Sequence, residues 1–243
     1  MLILETKDLS KRYDGVAALD GLSLGIEAGA VTAVIGPNGS GKSTLVNVLS
    51  GVAPKTGGRI AVSGVALGRI TASDVAAYGI TRTFQEVRLF NQMNVMENLL
   101  VVLTEKNVFG AILERHAEKH ARRAEELLRK VNLWEKRSEL AGGLSYGQRK
   151  LLEIARALAS GADIYLFDEP FAGLFPEMVK IVEGVLVELR REGKTVVLIE
   201  HNMDLIRALA DRVVVLDGGK LLAEGATAAT LGRREVLEAY LGE

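Results

Sequence analysis

Apolar residues along the chain recur with two different spacings, and the change from one to the other marks its organisation. In the first third, LILETKDLS (2–10), LSLGIEAG (22–29), VTAVIG (31–36) and GGRIAVSG (57–64) are short alternating or β-branched runs closed by glycine turns. That pattern predicts strands. From Val95 to about Ala159 the spacing becomes helical, in MENLLVVL and in the charged run LERHAEKHARRAEELLRKVNL. Nearly all-apolar strands return in IYLFD (164–168), TVVLIE (195–200) and RVVVLD (212–217). Such runs suit a parallel sheet covered on both faces. Helical stretches at 176–191 and 202–210 separate them, which gives βαβ units with right-handed crossovers. The pattern predicts an α/β core interrupted by a mostly helical insert. Repeats, low-complexity segments and Pro-rich linkers are not evident.

Composition narrows the function more than the fold. With 243 residues and 48% hydrophobic positions, the chain can bury a large core. Lys and Arg total 30 against 31 Asp and Glu, a net charge of -1. Without surplus positive charge, nucleic acid is not an expected partner. The chain has no cysteine, which excludes disulfides, zinc–thiolate sites and thiol catalysis and fits a reducing compartment. No apolar run approaches the roughly 20 residues of a membrane span, and the start MLILETKD is too short for a secretory signal. The expectation is a cytoplasmic chain, able to sit on a membrane protein at the inner face of the cell membrane.

Two stretches carry chemistry. GPNGSGKST (36–44) matches G-x-x-x-x-G-K-[ST] directly after the strand VTAVI. Gly36, Gly39 and Gly41 let the backbone curl so that its N–H groups surround a β-phosphate. Lys42 would bridge β- and γ-phosphates, and the Ser43 hydroxyl would bind Mg²⁺. The whole loop, including Pro37, Asn38, Ser40 and Thr44, is thus the expected ATP-binding segment. In IYLFDEP (164–170) a buried strand ends in two adjacent acids, at the end where α/β sheets bind ligands. Asp168 is expected to hold the Mg²⁺ shell, and Glu169 to polarise the attacking water as general base. A third stretch, LAGGLSYGQRKLLEIARALAS (140–160), brings Ser145 and Gly147 to the start of an apolar helix. A helix start can also bind an anion.

GPNGSGKST, LSYGQ and DEP in this order resemble the ATPase subunit of an ABC transporter, and the resemblance covers essentially the whole chain. It implies a P-loop NTPase core with a mainly parallel sheet, an antiparallel N-terminal β-subdomain and an inserted helical subdomain. The division within this single ATPase domain (1–243) would be a core at 1–86 and 162–243 and a helical subdomain at about 87–161. Such subunits dimerise head to tail, so that each ATP lies between the phosphate loop of one chain and the signature of the other. By that resemblance Ser145 and the backbone at Gly147 meet the partner's γ-phosphate.

The resemblance assigns further positions. Tyr13 would stack on adenine, Gln85 would contact Mg²⁺ or the attacking water, and His201 would hydrogen-bond the γ-phosphate. His116 and His120 have i, i+4 spacing, but they lie in a run crowded with Lys and Arg, which reads as a solvated helical face rather than a metal site. One position departs from the family: in AGLF, Phe175 stands where an Asp or Asn usually follows the leucine. A phenylalanine there cannot make the polar cross-dimer contact the resemblance implies, which bears on communication between the two ATP sites and need not affect hydrolysis.

Within the family, GITRTFQEVRLFNQMNVMENLLV, LAGGLSYGQRKLLEIARALA and the ending EAYLGE are similar to ATPases of branched-chain amino acid importers. Related importers of urea and other amides share these features. That type implies permease subunits and, indirectly, a solute-binding protein as partners. Leu89, Phe90 and Met93 would then contribute to a groove for a short helix of the membrane subunit, or else pack the insert onto the core. The alternatives are the lipopolysaccharide-export ATPase, similar in EPFAGLFP and YLGE, and a non-transport ATPase such as that of iron–sulfur assembly.

Overall fold

The computed structural model describes residues 1–68, 70–104 and 114–241, and only the backbone of 114–117, 240 and 241. The His116 side chain and the end of EAYLGE lie outside the described residues. Two units are distinguished: Met1–Arg82 with Asp163–Glu169 and Leu186–Glu243, and Thr83–Ala162 with Pro170–Val185. The second begins a few residues before the expected 87 and also takes in a segment after the DEP strand.

In the first unit, β1 (Leu2–Tyr13) and β2 (Val16–Glu27) form an antiparallel hairpin longer than either apolar run predicts. The extension comes from the turn. Asp14 and Gly15 both take positive φ (45° and 87°), the geometry of a two-residue loop whose twist matches that of the strands it joins. Tyr13 and Val16 therefore pair directly. With β4 (Gly57–Val62) and β5 (Val65–Leu67) they make a four-stranded antiparallel sheet, in the order β2-β1-β4-β5.

The second sheet contains β3 (Val31–Ile35), β6 (Ile80–Arg82), β7 (Ile164–Asp168), β8 (Thr195–Ile199), β9 (Arg212–Asp217) and β10 (Lys220–Ala226). Their order is β10-β9-β3-β8-β7-β6, and all neighbours are parallel except β9 and β10. Every residue of β3, β7 and β8 is buried, as their apolar runs require. Side-chain alternation divides this sheet between two cores. Val34, Leu166 and Val197 share one with Leu4, Leu9 and Ile60 of the antiparallel sheet and Leu45 of α1 (Lys42–Leu49). Ala33, Ile35, Val213 and Val215 face the other, with Ile206 of α6 (Met203–Leu209), Leu231 of α7 (Thr227–Leu231) and Val236 of α8 (Arg234–Leu241). Since β3, β8 and β7 are adjacent, the loops leaving their carboxyl ends lie side by side. This is the edge at which parallel sheets bind ligands.

The second unit is helical: α2 (Val95–Leu103), α3 (Glu114–Lys130) and α4 (Tyr146–Ala159) pack on one another. It also holds the first part of α5 (Pro176–Arg191). A capping box fixes the start of α2, where Asn94 Oδ1 accepts the Glu97 N–H and Glu97 Oε2 accepts the Asn94 N–H, each at 2.8 Å. On α3, Ala124, Leu127 and Leu128 are buried, while exposed pairs such as Arg129–Glu125 and Arg122–Glu118 line the solvent side. Such pairs contribute a few tenths of a kcal/mol each.

Candidate nucleotide site

The phosphate loop joins β3 to α1. Gly36 has φ 151°, and a Cβ there would lie 2.1 Å from the Leu216 carbonyl oxygen. Gly41, at φ 101°, would place one 2.6 Å from the Ala18 carbonyl oxygen. Only glycine fits at either position, so the loop passes close under its neighbours and opens onto the first turn of α1. Lys42 is buried and turned back on the loop, donating from Nζ to the carbonyls of Gly36 (2.8 Å) and Pro37 (2.9 Å). Burial lowers its pKa, opposed by the carboxylates of Glu169 and then Asp168. The ammonium is thus already set among loop carbonyls and two acids, where a polyphosphate is a better partner than water. Ser43 is exposed in the first turn of α1, and Thr44 is half-buried. Pro37 is half-buried, Asn38 and Gly39 are exposed, and Ser40 is buried, its carbonyl accepting the Gly219 N–H at 3.1 Å.

Asp168 closes β7 and is buried. Its Oδ2 receives Arg82 Nη2 at 2.8 Å. Glu169 follows with a positive φ of 48°, rare for a residue with a side chain and common at functional turns. Its N–H is held by the Ile199 carbonyl at 3.0 Å, at the end of β8. The backbone reversal separates the two side chains: Asp168 stays in the sheet network, while Glu169 Oε1 lies 3.0 Å from His201 Nε2. A carboxylate at that distance selects the Nε2–H tautomer. The loop bearing His201 is itself braced, since Glu200 Oε1 accepts the N–H groups of His201 (3.0 Å) and Asn202 (3.1 Å). Asn202 Oδ1 in turn caps α6.

An oxygen-only pair, the Ser43 hydroxyl and the Asp168 carboxylate, suits a hard divalent cation such as Mg²⁺. Among the described residues no group of three or more His, Cys, Asp or Glu is placed to hold a metal by itself. Such a donor set fits a cation that arrives with nucleotide phosphates. Tyr13 is exposed at the tip of the β1–β2 hairpin, with Lys11 Nζ 4.5 Å from its ring centroid.

The second unit holds the other expected site residues. Ser145 is the exposed N-cap of α4 and forms a capping box with Gln148, Oγ accepting its N–H at 3.3 Å and Oε1 returning to the Ser145 N–H at 3.0 Å. Gly147 is buried, and a Cβ on it would lie 2.5 Å from Met178 Sδ. Tyr146 packs on Gly173: a Cβ on that glycine, itself at φ 72°, would lie 2.9 Å from the ring. Phe175 stands 70% exposed two residues further on. Gln85 is exposed, in the loop that leads to α2.

That loop is held from behind by residues the motif reading does not mark. Glu153, buried in α4, accepts the N–H groups of Phe84 (3.3 Å) and Arg88 (3.2 Å) at Oε1. Arg156 donates to the Arg88 carbonyl at 2.6 Å. Burial raises the Glu153 pKa to about 7, against those two hydrogen bonds and the charges of Lys150 and Arg156. A carboxyl with a raised folded-state pKa stabilises the fold most at low pH, and that stability is lost as pH rises from about 4.5 through 7. We expect Glu153→Gln to remove this dependence. Its stability relative to wild type should rise by roughly 3 kcal/mol between pH 4 and 8 in urea unfolding. A stability difference that stays flat over that range would show that Glu153 does not titrate there.

Residues 19–172 match the family described as ABC transporter. The chain belongs to the ABC transporter family. It is an ATP-binding cassette and an ATPase of that family. The high-affinity branched-chain amino acid transport ATP-binding protein BraF of Pseudomonas aeruginosa is 38% identical over 99% of this chain and 98% of its own. The ADP conformation of an ATP-binding cassette of an ABC transporter superposes with a TM-score of 0.85, at 34% identity over 100% of both chains. The dimeric structure of a bacterial ABC transporter cassette gives 0.83, at 27% identity over 93% of this chain and 99% of that one. The cassette therefore binds nucleotide and serves a transporter. No helix among its described residues is long and apolar enough to cross a membrane.

Proposed function

We propose that the cassette hydrolyses MgATP in a head-to-tail dimer with a second ATPase subunit, a copy of itself or a related chain, and powers import of branched-chain amino acids or related amino acids or amides through a membrane permease. The observation that carries the catalytic half is the placement of the phosphate loop, the Asp168–Glu169 step and His201 at the ends of adjacent strands β3, β7 and β8. In this reading the loop N–H groups and Lys42 bind the β- and γ-phosphates. Ser43 and Asp168 would hold Mg²⁺, with Gln85 joining when the nucleotide is bound. That ion would neutralise phosphate charge as the γ-phosphoryl leaves. Glu169 takes the proton of the attacking water. His201 keeps the Glu169 carboxylate oriented and offers its ring to the γ-phosphate. Tyr13 supplies an aromatic face for adenine, and Ser145 with the Gly147 backbone closes the partner's site.

The importer assignment is supported by the end-to-end similarity to the branched-chain amino acid relative, which implies permease and solute-binding partners and a place at the inner face of the membrane. The cassette should be co-produced with its permease subunits and reconstituted in vesicles with the matching binding protein. Uptake of labelled leucine, isoleucine or valine, or of a related amino acid or amide, should then depend on ATP; a reconstituted transporter that takes up none of these would overturn the cargo assignment.

The same preparation tests the docking surface. Phe90 is 38% exposed, with Leu89 and Met93 half-buried beside it. The loop backbone is pinned independently of these side chains: buried Asn98 accepts the Phe90 N–H at 3.0 Å and donates to its carbonyl at 3.1 Å. Phe90→Glu should therefore keep fold and ATP binding while abolishing co-purification with the permease and uptake. A variant that still assembles and transports would refute the docking role, and one that unfolds would favour packing.

A further inference from the structure

A buried guanidinium stands behind the proposed metal donors. Arg82, the last residue of β6, lies opposite Leu166 in the parallel register. Its side chain thus shares the sheet face of Leu166 and of Asp168 two residues on. There its fork divides. Nη2 donates to Asp168 Oδ2 at 2.8 Å, and Nη1 donates to Asn47 Oδ1 at 2.6 Å and Ser50 Oγ at 3.0 Å, both on or capping α1. The Arg82 and Asp168 side chains are 7% and 2% exposed. Asn47 lies one turn after Ser43, on the same face of α1.

We propose that Arg82 is a positioning residue for the metal pair, fixing the Asp168 carboxylate relative to the helix that carries Ser43. The inference rests on the assignment of Ser43 and Asp168 to Mg²⁺ made above. A purely structural role explains the arrangement less well, because a buried ion pair is a weak stabiliser that apolar residues of similar volume often replace at no cost. The sheet edge would be served as well by such a pair. What apolar residues cannot supply is a planar fork with its donors in fixed directions, one branch on a carboxylate and the other on a helix. Asp168 cannot swing about its χ angles without breaking that bond, and Arg82 cannot follow it without leaving Asn47 and Ser50. The distance between the Asp168 carboxylate and the first turn of α1 is therefore set before nucleotide arrives. Residues that orient a ligand from behind typically account for 10–100-fold in metal affinity or activity.

Three variants test this: Arg82→Lys, which keeps a cation beside Asp168 but loses the fork; Asn47→Ala, which keeps the Arg82–Asp168 pair and removes one anchor; and Asp168→Asn. For each, affinity for a non-hydrolysable ATP analogue is measured in EDTA and in Mg²⁺, with the Mg²⁺ concentration giving half-maximal hydrolysis by the active variants. Wild type should bind the analogue more tightly with Mg²⁺. Arg82→Lys should lose that enhancement and raise half-saturating Mg²⁺ by about 10–100-fold, with affinity in EDTA and the melting temperature near wild type. Asn47→Ala should show the same change at about 2–10-fold, the effect of one hydrogen bond, and it decides the matter if Arg82→Lys does not fold. A folded Arg82→Lys with wild-type Mg²⁺ dependence overturns the proposal, as does an equal loss of affinity in EDTA and in Mg²⁺. If Asp168→Asn keeps the full Mg²⁺ enhancement, the metal assignment itself fails and the proposal with it. If only Asp168→Asn loses the enhancement, the metal assignment stands and the role of Arg82 falls alone.

Discussion

Glu169→Gln should slow ATP turnover by about 10²–10⁴-fold, the range for losing a general base, while ATP still binds. The substitution is conservative in the local geometry. The positive φ of 48° is accompanied by the hydrogen bond from the Glu169 N–H to the Ile199 carbonyl, which a glutamine backbone makes equally. A glutamine Oε1 can still accept from His201 Nε2, now 3.0 Å from the carboxylate. The variant thus loses the capacity to take a proton and little else. With the γ-phosphate uncleaved, the link between the two chains should persist, so sedimentation in ATP should find the variant as a dimer. Near-wild-type turnover would remove Glu169 from the general-base role and leave water activation to another group.

The legible parts of the fold are those where one local interaction dominates. β3, β7 and β8 are buried on both faces, and their sequences are nearly all apolar for that reason. The phosphate loop is legible because Gly36 and Gly41 admit no other residue. The short strands are not: β5 and β6 have three residues each, too few for an alternation to stand out. Of the two, β6 becomes a strand through its pairing with β7, a partner more than eighty positions away. β10 carries Gly225 and lies at the sheet edge, so its pattern is weak. The supporting residues were hidden for a related reason. Arg82, Asn98 and Glu153 have side chains buried against backbone groups or other polar side chains. In the sequence they read as ordinary surface positions of a helix or strand, and only the tertiary arrangement supplies the partners that make their burial tolerable. TRTFQ and LLEIARAL carry the family resemblance. The reason for Arg82 in the first and Glu153 in the second lies in the network behind each loop.

Equal mixing of Ser145→Arg with Lys42→Ala should restore activity that neither variant has alone. The two lesions act on different chains' nucleotides. Lys42 Nζ donates to two carbonyls of its own phosphate loop; in the proposed complex it turns to the phosphates, so its loss weakens the site on its own chain. Ser145 is exposed at the first turn of α4, with Gly147 buried behind it against Met178. Because the position is exposed, an arginine there should project outward into the partner's γ-phosphate site. In a head-to-tail dimer of one of each, the Lys42→Ala loop faces the Ser145→Arg signature, so both lesions fall on one site. The other site combines an intact loop with an intact signature. Half of the dimers formed by random pairing are mixed, and each has one whole site, so independent sites should return about a quarter of wild-type turnover. Phe175 favours independence: it is 70% exposed where the family usually places a polar residue, and its phenyl ring cannot form a polar link from one site to the other. A mixture no more active than either parent would mean either that the sites are not shared or that neither fires unless both are whole. Sedimentation of the mixture in ATP separates these, since mixed dimers that assemble yet stay silent would show coupling that survives the phenylalanine.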